Sequence, residues 1–417
     1  MTGGSPAHDV VIVGAGIIGL ASAQKLLAAG RRVTLIDRTG VARGASFGNA
    51  AAFAFSDILP LAVSGKLSRV PGWLMDPLGP LSIPPAYLPQ ILPWLVRFWR
   101  AGWPDRVAQS IAAQSALMRL AAAEMGLLLQ AAGLAGMVRH DGSLELYDSE
   151  AEFKASAFGW NTRADEGIAF EHVRGERLAT LQPGLSPRFA VGTFVPSWQT
   201  VDDPFAFATG LARHVEATGA RILSAEVAHL QPGGDGVRIA LTDGSTLDAR
   251  TAVIAAGAHS RSLVAPLGDR IPLETERGYN TTLPPGAFDL KRQLIFGGHG
   301  FVITPLSIGI RVGGAVELGG LTRPPNYARA RSMLAKAAAF LPGLRTEGGT
   351  EWMGFRPSLP DSLPVIGPSW VGPRIVYAFG HGHLGLTQSA ATGRLVADIV
   401  CNTRPPIDIA PFSPQRF

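Results

Sequence analysis

Asp9-Val10-Val11-Ile12-Val13-Gly14-Ala15-Gly16-Ile17-Ile18-Gly19 is the stretch on which the reading of this chain turns. It joins a short apolar run to an Ala/Leu-rich stretch of helical spacing that ends at Ala29, with Gly30 placed as a helix stop. The pattern predicts strand, tight turn and helix. Gly14, Gly16 and Gly19 permit the turn and the close approach of a pyrophosphate to the helix N-terminus, whose free amides attract the negative charge. A second strand, residues 32–36, ends at Asp37, 23 residues after Gly14, where a carboxylate accepts both hydrogens of a ribose diol. The opening therefore reads as a βαβ unit for a dinucleotide. Nicotinamide and flavin dinucleotides share this fingerprint, which does not choose between them.

Beyond the opening, residues 56–106 are rich in Pro, Trp and Leu, and residues 107–134 have the apolar spacing of a long helix. Short alternating segments at 142–147 and 188–195 predict strands of a different, mixed sheet. A helix over 204–219, a strand over 221–230, the hairpin signal Gly233-Gly234-Asp235-Gly236 and a strand over 251–255 return to α/β character. Strands dominate 271–352, with one helix near 327–340, and the tail 374–401 reads as strand, Gly-rich turn, helix. No internal repeat is visible, so two domains built from interleaved segments are expected.

Composition limits the function classes. With 417 residues, 47% hydrophobic and 17% charged, the chain can bury a large core. Its net charge of +5 is carried by no basic block, which argues against nucleic acid and leaves loose attraction to an anionic membrane surface open. A single cysteine, Cys401, excludes an intramolecular disulfide framework and multi-Cys metal sites and fits a reducing, cytoplasmic compartment. The N-terminal apolar run has no basic segment before it and no small-residue cleavage site after it, so it does not read as a signal peptide. Residues 77–96 are uncharged but hold six prolines, which no simple spanning helix tolerates, and no transmembrane helix is predicted.

Val253-Ile254-Ala255-Ala256-Gly257-Ala258 reads as a strand ending in small residues, where a chain passes close beside a dinucleotide. No second Gly-x-Gly-x-x-Gly stands between a strand and a helix downstream. A flavoprotein reduced by NAD(P)H usually needs that second site, so electrons are expected to come directly from the substrate.

Several further segments follow in order: Arg43-Gly44-Ala45-Ser46-Phe47-Gly48-Asn49-Ala50, Trp352-Met353-Gly354-Phe355-Arg356-Pro357, Pro360-Asp361, Pro364-Val365-Ile366-Gly367, and Gly380-His381-Gly382-His383-Leu384-Gly385-Leu386-Thr387. With the opening they resemble the FAD-dependent D-amino-acid oxidase superfamily over nearly the whole chain. The Pro/Trp-rich stretch from Gly72 to Leu81 and Arg277-Gly278-Tyr279-Asn280 bring it closest to the bacterial D-amino-acid dehydrogenases. The resemblance implies a Rossmann-like FAD-binding domain (1–56, 200–268, 353–417) interleaved with an α+β substrate domain on a mixed sheet (57–199, 269–352). It implies dissociable FAD, since Cys401 falls late in the C-terminal helix rather than in a loop against the flavin, and reads most simply as a small buried hydrophobe.

By the same resemblance the cofactor is held by Gly14, Gly16, Ile17, Ile18, Gly19, Asp37, Arg38, Ala45, Ser46, Asn49, Ala50, Val227 and Gly257. Gly382, His383, Leu384, Gly385, Leu386 and Thr387 form a helix start whose amides stabilise negative charge on the reduced flavin. Arg356 is the expected substrate anchor, a guanidinium holding a carboxylate bidentately. Tyr279 is expected to add a second hydrogen bond to that carboxylate, and His383 stands at the substrate end, where glycine oxidases place a cation. His381 and His383 lack the carboxylate or Cys partners of a metal site, and no metal is expected.

These residues imply dehydrogenation of a D-amino or D-imino acid by hydride transfer from Cα to flavin N5, with reoxidation by a quinone or redox protein. The His383-to-Thr387 signature resembles versions acting on D-proline or cis-4-hydroxy-D-proline. Rival readings are a sarcosine- or glycine-type oxidase, told by rapid peroxide formation, a non-catalytic flavoprotein subunit, and a NAD enzyme, which would not be yellow. Trp73, Trp94, Trp99 and Trp103 suggest a surface that meets the inner face of a membrane or an electron acceptor, against the alternative of a Pro-stiffened lid.

Overall fold

The computed structural model describes residues 8–63, 76 and 78–417. The first strand, His8–Val13, lies in the middle of a parallel sheet, between Val33–Asp37 on one side and Thr246–Ile254 on the other. Val10, Val11 and Ile12 are fully buried because helices and a meander cover both faces, which is why the strand reads as a continuous apolar run. Arg221–Ser224 extends the sheet beyond Val33–Asp37, and Gly372–Phe379 joins the end of Thr246–Ile254. The expected strand over 221–230 is broken at Ala225: Ser224 pairs with Asp37, whereas Val227–Pro232 starts an antiparallel meander with Val237–Leu241. The first helix, Ile17–Ala28, and the C-terminal helix, Gly385–Val400, pack against each other closely. This is the Rossmann-like half of an α/β protein.

The second sheet has nine strands and is mixed: Gln293–Phe296 and Ser143–Tyr147 run parallel, whereas their neighbours are antiparallel. Its centre is Glu274–Leu283, Gly309–Glu317 and Phe301–Leu306, bordered by Thr350–Ser358. Helix Ala328–Phe340 covers one face. The other face looks toward the dinucleotide-binding half.

Three expectations shift. Helix Pro104–Ala132, allotted by sequence to the substrate domain, packs its Leu117, Ala121, Met125 and Leu128 into the core shared with the first and C-terminal helices. By length and composition it is the one helix among the described residues able to cross a membrane, but its buried Glu124 pairs with Lys25 (2.5 Å) and Arg394 (3.2 Å) inside the protein. The boundary at 352/353 falls inside strand Thr350–Ser358, which belongs wholly to the mixed sheet. Finally, Leu88–Ala101 is helical despite its prolines, because Pro89 occupies the first turn and Pro93 forfeits only one bond to it. At 14 residues, about 21 Å, it is too short to span a bilayer.

That helix divides the tryptophans. Trp94 turns inward, 7% exposed, and stacks on Phe98 with ring centroids 5.1 Å apart. Leu88, Leu92, Val96 and Trp99 form an outward ridge continued by Trp103, with Trp99 58% exposed. Trp73 lies outside the described residues, as does most of the Pro/Trp-rich stretch before Leu78.

Candidate active site

Between the two halves runs one cavity of about 1440 Å³, larger than the ~300–1,000 Å³ of ordinary small-molecule pockets. It extends from Asp37 and Arg38 at one end to Arg356 and His383 at the other.

The three fingerprint glycines do different things. Gly14 has φ +112°, and a Cβ there would strike the Ala255 carbonyl of the adjacent strand. A Cβ on Gly19 would strike the Gly14 carbonyl, so Gly19 sets the closeness of helix to strand; unlike the others it does not line the cavity, a correction to its expected contact role. Gly16 has an ordinary φ of −74°, and its Cβ would meet only Ser46 Oγ at 3.3 Å. What Gly16 leaves free is approach from the cavity, onto a helix start that has no side-chain cap of its own. Ile17 and Ile18 line the same end, where the Ile17 amide donates to Ser46 Oγ (3.0 Å).

Asp37 ends the second strand as expected. Its Oδ1 accepts from the amides of Thr39 (2.9 Å) and Gly40 (3.1 Å) and from the Thr39 hydroxyl (3.1 Å), whereas its Oδ2 accepts only the Ala15 amide (2.8 Å), so the spare acceptor capacity for a ribose hydroxyl is on Oδ2. Arg38 pairs with Glu226 (3.0 Å) and lies 2.9 Å from His259, whose pKa is lowered by burial and by that guanidinium. Val227 and Gly257 border the same end.

The segment after Ala45 runs across four strands of the mixed sheet, in a way the sequence did not suggest. The carbonyls of Gly48, Asn49, Ala50 and Ala51 accept in turn from Asn280 Nδ2 (2.8 Å), Arg311 Nη1 (2.7 Å), Thr304 Oγ1 (3.1 Å) and Gln293 Nε2 (3.4 Å). These donors come from four successive strands of the sheet, so each strand holds one residue of the segment. Ala51 sits in the left-handed region (φ +56°), and Asn49 supports that turn by accepting the Ala51 amide (2.8 Å). Burial pushes Arg311 down to about 10.

The C-terminal helix begins at the cavity, again without a side-chain cap. Thr387 Oγ1 accepts the Ala54 amide (3.0 Å) and donates to the Ala52 carbonyl (3.1 Å), locking the helix start to the segment just described. Gly382, with φ +54°, donates its amide to the Pro357 carbonyl (2.7 Å), next to Arg356. Leu384, Gly385 and Leu386 complete the wall. His381 is buried, its ring 2.9 Å from Thr392 Oγ1, and burial pushes its pKa down to about 3, so it is a neutral packing residue. His383 faces the cavity rim with Nε2 3.0 Å from Asp57, which also meets Arg163 (3.5 Å).

Arg356 is the chemically most exceptional residue. Its guanidinium passes over Gly278, where any Cβ would collide with it, and donates to the carbonyls of Ala315 (2.9 Å) and Gly314 (3.4 Å). No carboxylate pairs with it among the described residues, and burial lowers its pKa. A half-buried cation with two neutral acceptors, open to solvent only through a cavity, suits an anion.

Tyr279 does not join it. Neighbouring strand residues point to opposite faces, and with Gly278 and Asn280 toward the cavity, Tyr279 lies on the helix side. There its hydroxyl donates to Glu317 and accepts the Asn326 amide (3.1 Å), so although Tyr279 borders the cavity its hydroxyl is turned away from the position expected for a substrate hydrogen bond. Cys401 follows the C-terminal helix away from the cavity lining and is half-buried, not the fully buried residue expected.

The fit to FAD is good on these observations: a glycine cradle at a helix start whose N-cap residue is Gly16, a carboxylate with spare acceptor capacity, and a continuous cavity ending on a second helix start whose N-cap residue gives no side-chain cap. Comparison with known proteins agrees. Residues 9–399 match the family DAO, FAD dependent oxidoreductase. A D-amino-acid oxidase of Bradyrhizobium diazoefficiens is 37% identical over 98% of this chain and 99% of its own length. A D-amino acid dehydrogenase of Rhizobium johnstonii is 31% identical over the same shares. Glycine oxidase from Geobacillus kaustophilus has the same fold, with TM-score 0.79 at 22% identity over 98% of this chain and 99% of that one.

Proposed function

The chain belongs to the DAO family of FAD-dependent oxidoreductases, and on that premise we propose that it dehydrogenates a D-amino or D-imino acid. The observation that carries this reading is Arg356, half-buried at the cavity wall and without an acidic partner among the described residues. FAD, when bound, supplies the two-electron oxidant. Arg356 takes the substrate carboxylate and so fixes which face of Cα is presented. The start of helix Gly385–Val400 favours negative charge beside it. His383, oriented by Asp57, stands at the rim of the cavity. The substrate loses its Cα hydride and one amine proton and becomes an imine. From a primary amine, hydrolysis gives a 2-oxo acid and ammonia, whereas a cyclic imine persists.

D-Proline and cis-4-hydroxy-D-proline are the favoured substrates. Beyond Arg356 the cavity wall is apolar, built from Leu81, Ile83, Trp94, Phe98 and Leu318, which suits ring methylenes and disfavours a charged side chain. The steady-state test compares cis-4-hydroxy-D-proline, D-proline, D-alanine and sarcosine. A kcat/KM at least tenfold higher for the cyclic acids supports the proposal, and equal turnover of D-alanine and D-proline removes its basis.

For the acceptor, a membrane quinone is favoured by the ridge Leu88, Leu92, Val96 and Trp99, because the helix that bears it also lines the cavity through Trp94 and Phe98. Arg97 and Arg106 lie exposed alongside, as an anionic bilayer surface would favour. Direct reaction with oxygen is the second reading, since the 37% identical relative is called an oxidase. A Leu92→Ser/Val96→Ser variant, altering two exposed ridge residues outside the cavity lining, should reduce quinone in anionic liposomes at least tenfold more slowly while reducing a soluble dye at the normal rate. Equal rates in both assays, or stoichiometric peroxide from the unmodified enzyme, would contradict the quinone proposal.

A further inference from the structure

We propose that Glu276 receives the amino group of the substrate, so that Glu276 and Arg356 together form a receptor for a zwitterion. The inference deepens the reading of Arg356 as carboxylate anchor and rests on it. Glu276 is 5% exposed, borders the cavity, and stands directly opposite Arg356 in the pairing of Glu274–Leu283 with Thr350–Ser358. Residues directly opposite in antiparallel strands share a face, with Cβ atoms ~4.5–5.5 Å apart.

Two opposite charges so placed would ordinarily pair, yet among the described residues no ion pair joins them. The reason is Gly278. Without a side chain there, the Arg356 guanidinium lies across the strand and reaches the Gly314 and Ala315 carbonyls, away from Glu276. Glu276 meanwhile accepts from the Ser358 hydroxyl (2.6 Å) at Oε1, its one hydrogen-bond partner among the described residues. The sheet thus presents a cation and an anion side by side, each hydrogen-bonded to neutral groups and neither neutralised by the other. An α-amino acid carries its ammonium and carboxylate on one carbon, and it complements both charges. A 2-oxo acid, the hydrolysed product, keeps only the carboxylate and loses the contact with Glu276, which favours its release.

The test uses the FAD-loaded full chain and two ligands of one skeleton: D-proline, and cyclopentanecarboxylate, which lacks the nitrogen. Perturbation of the flavin absorbance spectrum reports binding of the carboxylate, and KM and kcat report D-proline. In Glu276→Gln, KM for D-proline should rise roughly 10- to 100-fold with a smaller change in kcat, as loss of a charge-assisted hydrogen bond predicts. Cyclopentanecarboxylate should bind equally or more tightly. Equal weakening of both ligands, or no change in either, overturns the proposal. If Glu276→Gln does not accumulate as holoenzyme, Glu276→Asp should show the same one-sided loss at smaller size, and an even loss there overturns it as well. Arg356→Met separates the underlying reading: it should lose both ligands, and if it keeps cyclopentanecarboxylate the anchor itself is wrong.

Discussion

Arg356→Met is expected to lose about a hundredfold to a thousandfold in kcat/KM for every amino-acid substrate while remaining folded and yellow. Removing one partner of a buried, hydrogen-bonded charge pair costs ~2–5 kcal/mol, and here that pair forms only when substrate is bound. In the free protein the guanidinium is a partly desolvated cation held by two carbonyls, so an apolar side chain of similar length relieves its desolvation cost and offsets the loss of those two hydrogen bonds. Tm should therefore stay level or rise as activity falls. Arg356→Lys should recover little, because an ammonium cannot reproduce the two-pronged geometry across Gly278. A variant that loses Tm and activity together would make Arg356 a structural residue instead.

The second large effect divides the fingerprint glycines. Gly19→Ala places a methyl on the Gly14 carbonyl, backbone against backbone, and should cost ~3 kcal/mol or more of stability, read as a marked fall in Tm. Gly16→Ala meets only Ser46 Oγ within the protein, yet stands where a pyrophosphate approaches the helix start. It should leave the Tm of the FAD-free protein within a degree or two and weaken FAD at least tenfold, measured by quenching of free-flavin fluorescence on titration. If Gly16→Ala unfolds the protein as Gly19→Ala does, the helix start is packed rather than open.

The βαβ opening was legible because its strand is buried on both faces and its turn needs glycine for backbone reasons, and both leave marks in sequence. The strand Glu274–Leu283 falls in the stretch where strands were expected, but nothing in its sequence marked its burial. Its residues, Glu-Thr-Glu-Arg-Gly-Tyr-Asn-Thr-Thr-Leu, are almost all polar, yet nine of the ten are buried. One face hydrogen-bonds the cofactor segment and borders Arg356, and the other ties Arg277 and Tyr279 to Glu317. Resemblance named Tyr279 and Arg356 together, but period-two alternation puts them on opposite faces, and Asn280 already claims the cavity side. The donors Arg311, Thr304 and Gln293 are far apart in sequence and meet only because their strands are neighbours. The phase of helix Leu88–Ala101 was hidden by its prolines, so inward Trp94 and outward Trp99 looked alike.

The most direct test of the central claim is an anaerobic absorbance record of the purified, FAD-loaded protein after addition of D-proline or, separately, L-proline. The account requires the oxidised-flavin band to bleach with the D enantiomer alone, because Arg356 fixes the carboxylate and hence the face of Cα presented for hydride loss. Bleaching by both enantiomers at similar rates, or by neither D-proline nor any other D-amino acid, would contradict it.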